Sequence, residues 1–150
     1  MRVVVQRVSG ASVEVDGVVV SSIGTGIVVL AAFRVGDSDA ELDWMARKCL
    51  ELRIFGDDEG KMNRSLLDVG GQLLVVSQFT LYGDSRRGRR PDFTASAPGA
   101  EAQVLYRRFV EIIGGMYPKV AEGVFGAKMA VRLVNDGPVT LVIDRDAETT

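Results

Sequence analysis

A chain of 150 residues without a single histidine has a short catalytic toolkit. No Ser-His-Asp triad, Cys-His dyad or histidine metal site can be built from it. Its nucleophiles are Ser, Thr and the lone Cys49, and its bases are carboxylates, Lys and Tyr. Four segments stand out. Ser77-Gln78-Phe79-Thr80 closes an apolar run, where a rigid strand would hand these residues to a loop. By pattern alone, its hydroxyls and amide equally suit the satisfying of strand-end backbone groups. Asn135-Asp136-Gly137-Pro138 lies between apolar runs and reads as a turn, with the X-Pro bond trans on frequency alone. Ser85 to Pro91 carries Arg86, Arg87, Arg89 and Arg90. That is either a solvated loop or a phosphate contact, since the guanidinium fork matches phosphate oxygens. In Gly123 to Ala127, Phe125 stands between glycines and either lines a pocket or packs.

The elements that must position these residues follow from periodicity. Residues 2–8 read as a Val-rich strand. Val13 and Val15 alternate with Glu14, and Asp16-Gly17 before Val18-Val19-Val20 signals a hairpin. Ile27 to Phe33 and Gln72 to Phe79 are buried strands. Ser38 with Glu41 forms a capping box, followed by Leu42, Met45, Ala46, Cys49 and Leu50 on one helical face. A second amphipathic helix spans 101–116, and Pro118 follows it. Arg53 to Phe55 reads as a short strand, and Asp57-Asp58-Glu59-Gly60 as a solvated turn rather than a calcium loop. Two strands lie on either side of the Asn135–Pro138 turn, and residues 144–150 read as a polar, frayed tail. The fold class is α+β: about seven strands, mostly hairpin-connected and antiparallel or mixed, with two amphipathic helices.

Length and composition limit the rest. One domain over 1–150 is expected. Apolar residues make up 47% and charged residues 25%, an ordinary globular composition. The net charge of -2, from 18 Lys+Arg and 20 Asp+Glu, neither requires nor forbids a nucleic-acid partner, because local patches decide that. Cys49 excludes an intrachain disulfide and a cysteine zinc site, and it suits a core position. The N-terminus lacks a signal-peptide pattern, and no apolar run approaches the ~20 residues of a membrane span. A cytoplasmic domain is expected, with no cofactor and no metal.

Taken together, the segments are specific. Met1-Arg2-Val3-Val4-Val5-Gln6-Arg7-Val8, Gly60-Lys61-Met62-Asn63, Ser77-Gln78-Phe79-Thr80-Leu81-Tyr82 and Asn135-Asp136-Gly137-Pro138-Val139-Thr140 occur in this order. Along essentially its whole length the chain resembles the D-aminoacyl-tRNA deacylases. The resemblance implies hydrolysis of the ester between a D-amino acid and the terminal adenosine of tRNA, and of mischarged glycyl-tRNA. It implies a β-barrel-like homodimer with two active sites at the subunit interface. Ser77, Gln78, Phe79 and Thr80 then form a catalytic wall. Gly137-Pro138 enters from the other subunit in the cis form, and its carbonyls exclude L-amino acids. Phe125 and Met129 match positions near the adenosine.

Chemistry narrows the mechanism. Backbone N–H groups of Phe79 and Thr80 suit an oxyanion. Thr80 lacks an obvious base, so attack by water assisted by the substrate's own 2′-hydroxyl is favoured. Two other readings share these residues. One is a non-catalytic tRNA 3′-end binding module. The other is a relative with a trans Gly-Pro that accepts some L substrates.

Overall fold

The computed structural model describes residues 1–147. Its first strand, Arg2–Val15 (β1), is continuous where the sequence suggests two pieces. β1 turns through Asp16-Gly17 into Val18–Ile23 (β2), as the Asp-Gly pair predicts. Both turn residues have positive φ, 50° and 77°, which a tight hairpin of this hand requires. Gly26–Ala32 (β3) then pairs antiparallel with the first half of β1, while β2 pairs with its second half.

Helix Asp39–Glu51 (α1) starts at the predicted capping box. The Glu41 carboxylate accepts the Ser38 N–H at 2.8 Å and its hydroxyl at 2.6 Å. Those bonds hold the Glu41 carboxyl below its ordinary range. A small hairpin follows, Phe55–Gly56 (β4) with Met62–Arg64 (β5). The carboxylates of its turn are all engaged: Asp57 by the Glu59 and Lys61 N–H groups, Asp58 by Arg64, and Glu59 by Lys61. This is the solvated turn expected.

The expectation of two helices misses a third, Leu66–Val69 (α2), which is only four residues long and capped by Ser65 and Asp68. Gln72–Ser77 (β6) runs parallel to β3. The long helix is Gly99–Met116 (α3), and Val120–Glu122 (β7) runs parallel to β6. The last strand, Ala130–Asp144 (β8), lies along the other edge of β1. It too is one strand and not two. The strands therefore number eight among the described residues, and the main sheet is mixed and nearly closed into a barrel.

The sheet buries both faces of its centre. Val3, Val5, Ile27, Val29, Leu73 and Val75 pack under α1 and α3, against Leu42, Met45, Cys49, Phe109 and Ile113. Val8, Val13, Val28, Leu74 and Val76 form a second cluster. β3 and β6 are covered on both sides, which is why they read as continuous apolar runs rather than alternating ones. Cys49 is a core residue as expected, and burial pushes its thiol up to about 12. No helix among the described residues is long and apolar enough to cross a membrane.

The tail is not frayed from 144 onward. Asp144 pairs with Arg2 at 2.7 Å, the Arg145 N–H donates to the Met1 carbonyl, and Asp146 pairs with Arg34 at 2.6 Å. Residues 148–150 lie outside those described.

Gly26 opens the parallel ladder opposite Gln72. A Cβ there would stand 1.8 Å from the Gln72 carbonyl oxygen. Backbone cannot yield as a side chain can. Gly26→Ala is predicted to destabilise the protein by about 3 kcal/mol or more, at the upper end for overpacking. Urea denaturation followed by circular dichroism measures this, and a loss under ~1 kcal/mol would contradict the close approach.

Candidate active site

β3, β6 and β7 run in one direction, so their carboxyl ends emerge at the same edge of the sheet. Ligand crevices form at such edges, where backbone leaves the ladder and loops diverge. Ala31, Ala32 and Phe33 come from the end of β3, Ser77 and Phe79 from the end of β6, and Phe125 and Gly126 from the loop after β7. With Phe93, Ser96, Pro98, Gly99 and Ala102 they line a mainly apolar cavity of about 420 Å³. Of the residues singled out in the sequence, the structure brings Ser77, Phe79 and Phe125 together on this cavity.

The chain leaves β6 through the Gln78 N–H, which donates to the Ala31 carbonyl at 2.8 Å. It then forms a 3-10 turn over Phe79–Tyr82 with no side-chain cap. The first N–H groups of such a turn lack partners within it, so those of Phe79 and Thr80 are open donors among the described residues. The Thr80 hydroxyl accepts a hydrogen bond from the Gln78 side-chain amide. No carboxylate, lysine or tyrosine among the described residues takes the Thr80 proton. An acceptor role does not activate a hydroxyl as a nucleophile. Arg2 donates to the Leu81 carbonyl at 2.9 Å and stands over the Tyr82 ring, bracing the far end of the turn.

Phe125 also contacts the Tyr106 ring at 5.5 Å. Met129 is placed differently. It is half-buried against the second core cluster, and its sulfur accepts the Val124 N–H at 3.4 Å. It supports the loop that carries Phe125 rather than lining the cavity.

The Asn135–Pro138 segment is not a turn between strands. The β1–β8 ladder pairs Gln6 with Thr140 and next pairs Val8 with Asn135. Arg7 alone therefore faces Asp136, Gly137, Pro138 and Val139, which bulge out of β8. The Gly137-Pro138 bond is cis, not the trans bond that frequency alone suggests. Arg7 was missed. Its guanidinium donates to the Asp136 carbonyl at 2.9 Å and to the Ile54 carbonyl at 2.7 Å, with the Asp136 carboxylate 3.5 Å away. Asn135 closes the bulge by accepting the Val139 N–H at 2.9 Å and donating to Thr140 at 2.7 Å. A charged residue within a buried Val-rich strand was the available signal for Arg7. Gly137 and Pro138 line a second groove of about 400 Å³ with Arg7, Phe55, Gly56 and Met62. That groove shares no residue with the cavity of Ser77 and Phe79. A single chain does not join the two halves of the predicted site.

Arg86, Arg87, Arg89 and Arg90 sit on an exposed hairpin whose base is closed by Asp84 and Asp92, each donating its N–H to the other's carbonyl at 2.7 and 2.9 Å. Arg86 is engaged by the Asp84 carboxylate at 2.6 Å. Arg87, Arg89 and Arg90 have no carboxylate partner among the described residues. Also among the described residues, no cluster of three or more acidic or cysteine side chains is arranged to hold a metal ion.

The match to known proteins is decisive. The family model described as D-Tyr-tRNA(Tyr) deacylase matches residues 4–144. The chain belongs to this deacylase family. A D-aminoacyl-tRNA deacylase of Thermomicrobium roseum is 58% identical over 144 residues, covering 96% of this chain and 94% of that protein. One from Dechloromonas aromatica is 55% identical, covering 96% and 97%. A solved structure described as c-Myc DNA Unwinding Element Binding Protein superimposes with a TM-score of 0.93 at 42% identity, covering 98% of this chain and all (100%) of that one. The family match thus spans nearly the whole chain, including the residues that line both grooves.

Hydrogen bonds from Arg86 pull the Asp84 carboxyl down to about 2. A carboxyl depressed in the folded state contributes above its unfolded pKa and loses that contribution as pH falls through the folded value. The Asp84–Arg86 contact should therefore persist below the ordinary carboxylate range. NMR titration should place Asp84 near 2. In Arg86→Ala it should return toward about 3.9, and an unmoved midpoint would assign the depression to another cause.

Proposed function

We propose that this chain is a hydrolase that cleaves the ester of D-aminoacyl-tRNA, releasing the D-amino acid and free tRNA in the cytoplasm. The observation that carries this is the family match over residues 4–144, at 58% identity to a named deacylase. The cavity supports it. An apolar pocket with open backbone donors at Phe79 and Thr80, and with no activated side chain, suits an ester that is already reactive. Such a site needs to position water and stabilise an oxyanion, and the neighbouring 2′-hydroxyl of the substrate's ribose supplies the assistance. Phe125, with Met129 behind it, faces the terminal adenosine.

The working enzyme is a homodimer with both sites at the interface. Two features support this. β8 is a 15-residue edge strand that exposes Val131, Val134, Leu141 and Val142, a surface that isolated proteins avoid leaving open. And the Gly137-Pro138 groove is separate from the Ser77–Thr80 cavity on one chain, so a two-fold partner is needed to bring wall and catalyst together. In that arrangement Gly137 and Pro138 present backbone to the substrate's α-carbon. An L side chain meets that backbone, whereas a D side chain points away. Glycine has no side chain to exclude, so glycyl-tRNA is also cleaved.

Release of tyrosine from D-tyrosyl-tRNA and L-tyrosyl-tRNA tests the reading. Rapid release from the D form alone is expected, and equal release or none would remove it. Thr80→Ala should retain measurable activity, and no aminoacyl-enzyme should be detected by mass spectrometry in the parent protein. The same ester on tRNA ending in 2′-deoxyadenosine should bind but react far more slowly. An ester trapped on Thr80 would replace this mechanism.

The free guanidinium groups of the hairpin are the phosphate contacts. Neutralising Arg87, Arg89 and Arg90 should raise KM for tRNA more than it lowers kcat. It should also flatten the salt dependence, because fewer counterions are released on binding. An unchanged KM and salt slope would make the hairpin plain solvated surface.

A further inference from the structure

The arginine hairpin and the Phe79–Tyr82 turn meet at one joint. Asp84 and Asp92 close the hairpin, and Phe93 is the next residue. Its ring meets the Phe79 ring edge-on, with centroids 5.1 Å apart and planes at 66°. The same ring lies against Gly83, where a Cβ would stand 2.8 Å from it and 3.0 Å from the Thr80 carbonyl. Gly83 in turn donates its N–H to that carbonyl at 2.9 Å. Beyond Phe93, the Ser96 hydroxyl donates to the Phe79 carbonyl at 3.0 Å. The root of the hairpin is thus keyed onto both ends of the turn by one aromatic ring.

The two bodies differ in what they hold. Arg87, Arg89 and Arg90 are exposed and unpaired among the described residues, so an RNA backbone can reorient the hairpin that carries them. The turn carries the open Phe79 and Thr80 N–H groups, whose placement to a fraction of an ångström decides oxyanion stabilisation. Arg86 is held by Asp84 and stiffens the root instead of reaching outward.

We propose that Phe93 is a positioning residue that transmits phosphate capture by Arg87, Arg89 and Arg90 to the N–H donors of the Phe79–Thr80 turn. This rests on the deacylase reading above. Docking of the tRNA backbone on the hairpin fixes its root, and the ring then fixes the turn. The phosphates of the substrate accelerate the reaction at an ester they do not touch.

The test compares D-tyrosyl-tRNA with D-tyrosyl-adenosine, which has the same ester and no phosphate. Phe93→Leu should lower kcat on the tRNA by about tenfold, with KM and salt slope within roughly twofold of the parent. On the adenosine ester, which reacts in the cavity that Phe93 also lines, the loss should be clearly smaller than on the tRNA, and Phe93→Tyr should restore the tRNA rate. Replacing Arg87, Arg89 and Arg90 by Ala should raise KM in both backgrounds. It should lower kcat only where Phe93 is intact, a non-additivity that measures the coupling. Phe93→Met keeps an apolar side chain of similar reach without the edge-on ring contact and should reproduce the kcat loss, which serves if Phe93→Leu does not fold. Equal losses on both substrates, or additive effects on kcat, would show that Phe93 merely supports the fold and would overturn the proposal. A parent protein that hydrolyses neither D-ester removes the deacylase reading, and this inference with it.

Discussion

A guanidinium sunk into a sheet has to find acceptors, and that need shapes this molecule. The Arg7 side chain is only 16% exposed, between Val5 and Val8, which are fully buried. An unpaired charge there would be costly. The acceptors it finds are two carbonyls from different parts of the chain, Ile54 beyond α1 and Asp136 in β8. The fork geometry of arginine serves both at once, which a lysine could not. The ladder opens to admit it, and four β8 residues pass opposite one β1 residue. A Cβ on Gly137 would stand 2.9 Å from the same guanidinium, and Gly137 has a φ of +136° that other residues rarely adopt. One largely enclosed cation therefore marks the position of the bulge, and the positive φ there calls for glycine.

The rest of the fold supplies rigidity around two such features. Strands β3 and β6, packed on both faces, make an unyielding platform whose carboxyl ends open into the cavity. The segments proposed to act are those that leave this platform: the 3-10 turn, the arginine hairpin and the Phe125 loop. Each is tied back by a few specific contacts rather than by ladder bonds. That division suits the proposed site, whose main chemical tool would be backbone N–H geometry. Backbone donors are only as well placed as the elements that carry them, and here those elements grow directly out of the core.

Much of this was legible in the sequence where the signal is local. Asp16-Gly17 gave its hairpin because the turn depends on two adjacent residues. Ser38 and Glu41 gave the start of α1 because a capping box closes within one turn. The apolar runs of β3 and β6 gave buried strands. What failed was non-local or too short. Asn135–Pro138 has the composition of a turn, and only the pairing with β1, more than a hundred residues earlier in the chain, makes it a bulge. Helix α2 is too brief to show a period. The tail looks solvated until Arg2 and Arg34, from the other end of the chain, are placed beside it. The residues of the site were named through family resemblance. Arg7 was quoted within a matching motif, yet its role appears only when the bulge is seen around it.

The proposed division of the active site between two copies is the point on which this account stands. It is tested by building a heterodimer from two inactive chains. One carries Ser77→Trp, which fills the Phe79 cavity, and the other carries Gly137→Leu, which blocks the bulge. If each site draws its wall from one chain and its turn from the other, one of the two sites in the heterodimer is free of both lesions. D-tyrosyl-tRNA deacylation by the tagged, purified heterodimer should then recover to about half the parent rate per dimer, while each homodimer stays inactive. A heterodimer no more active than its parents would place the whole site within one chain and contradict the account.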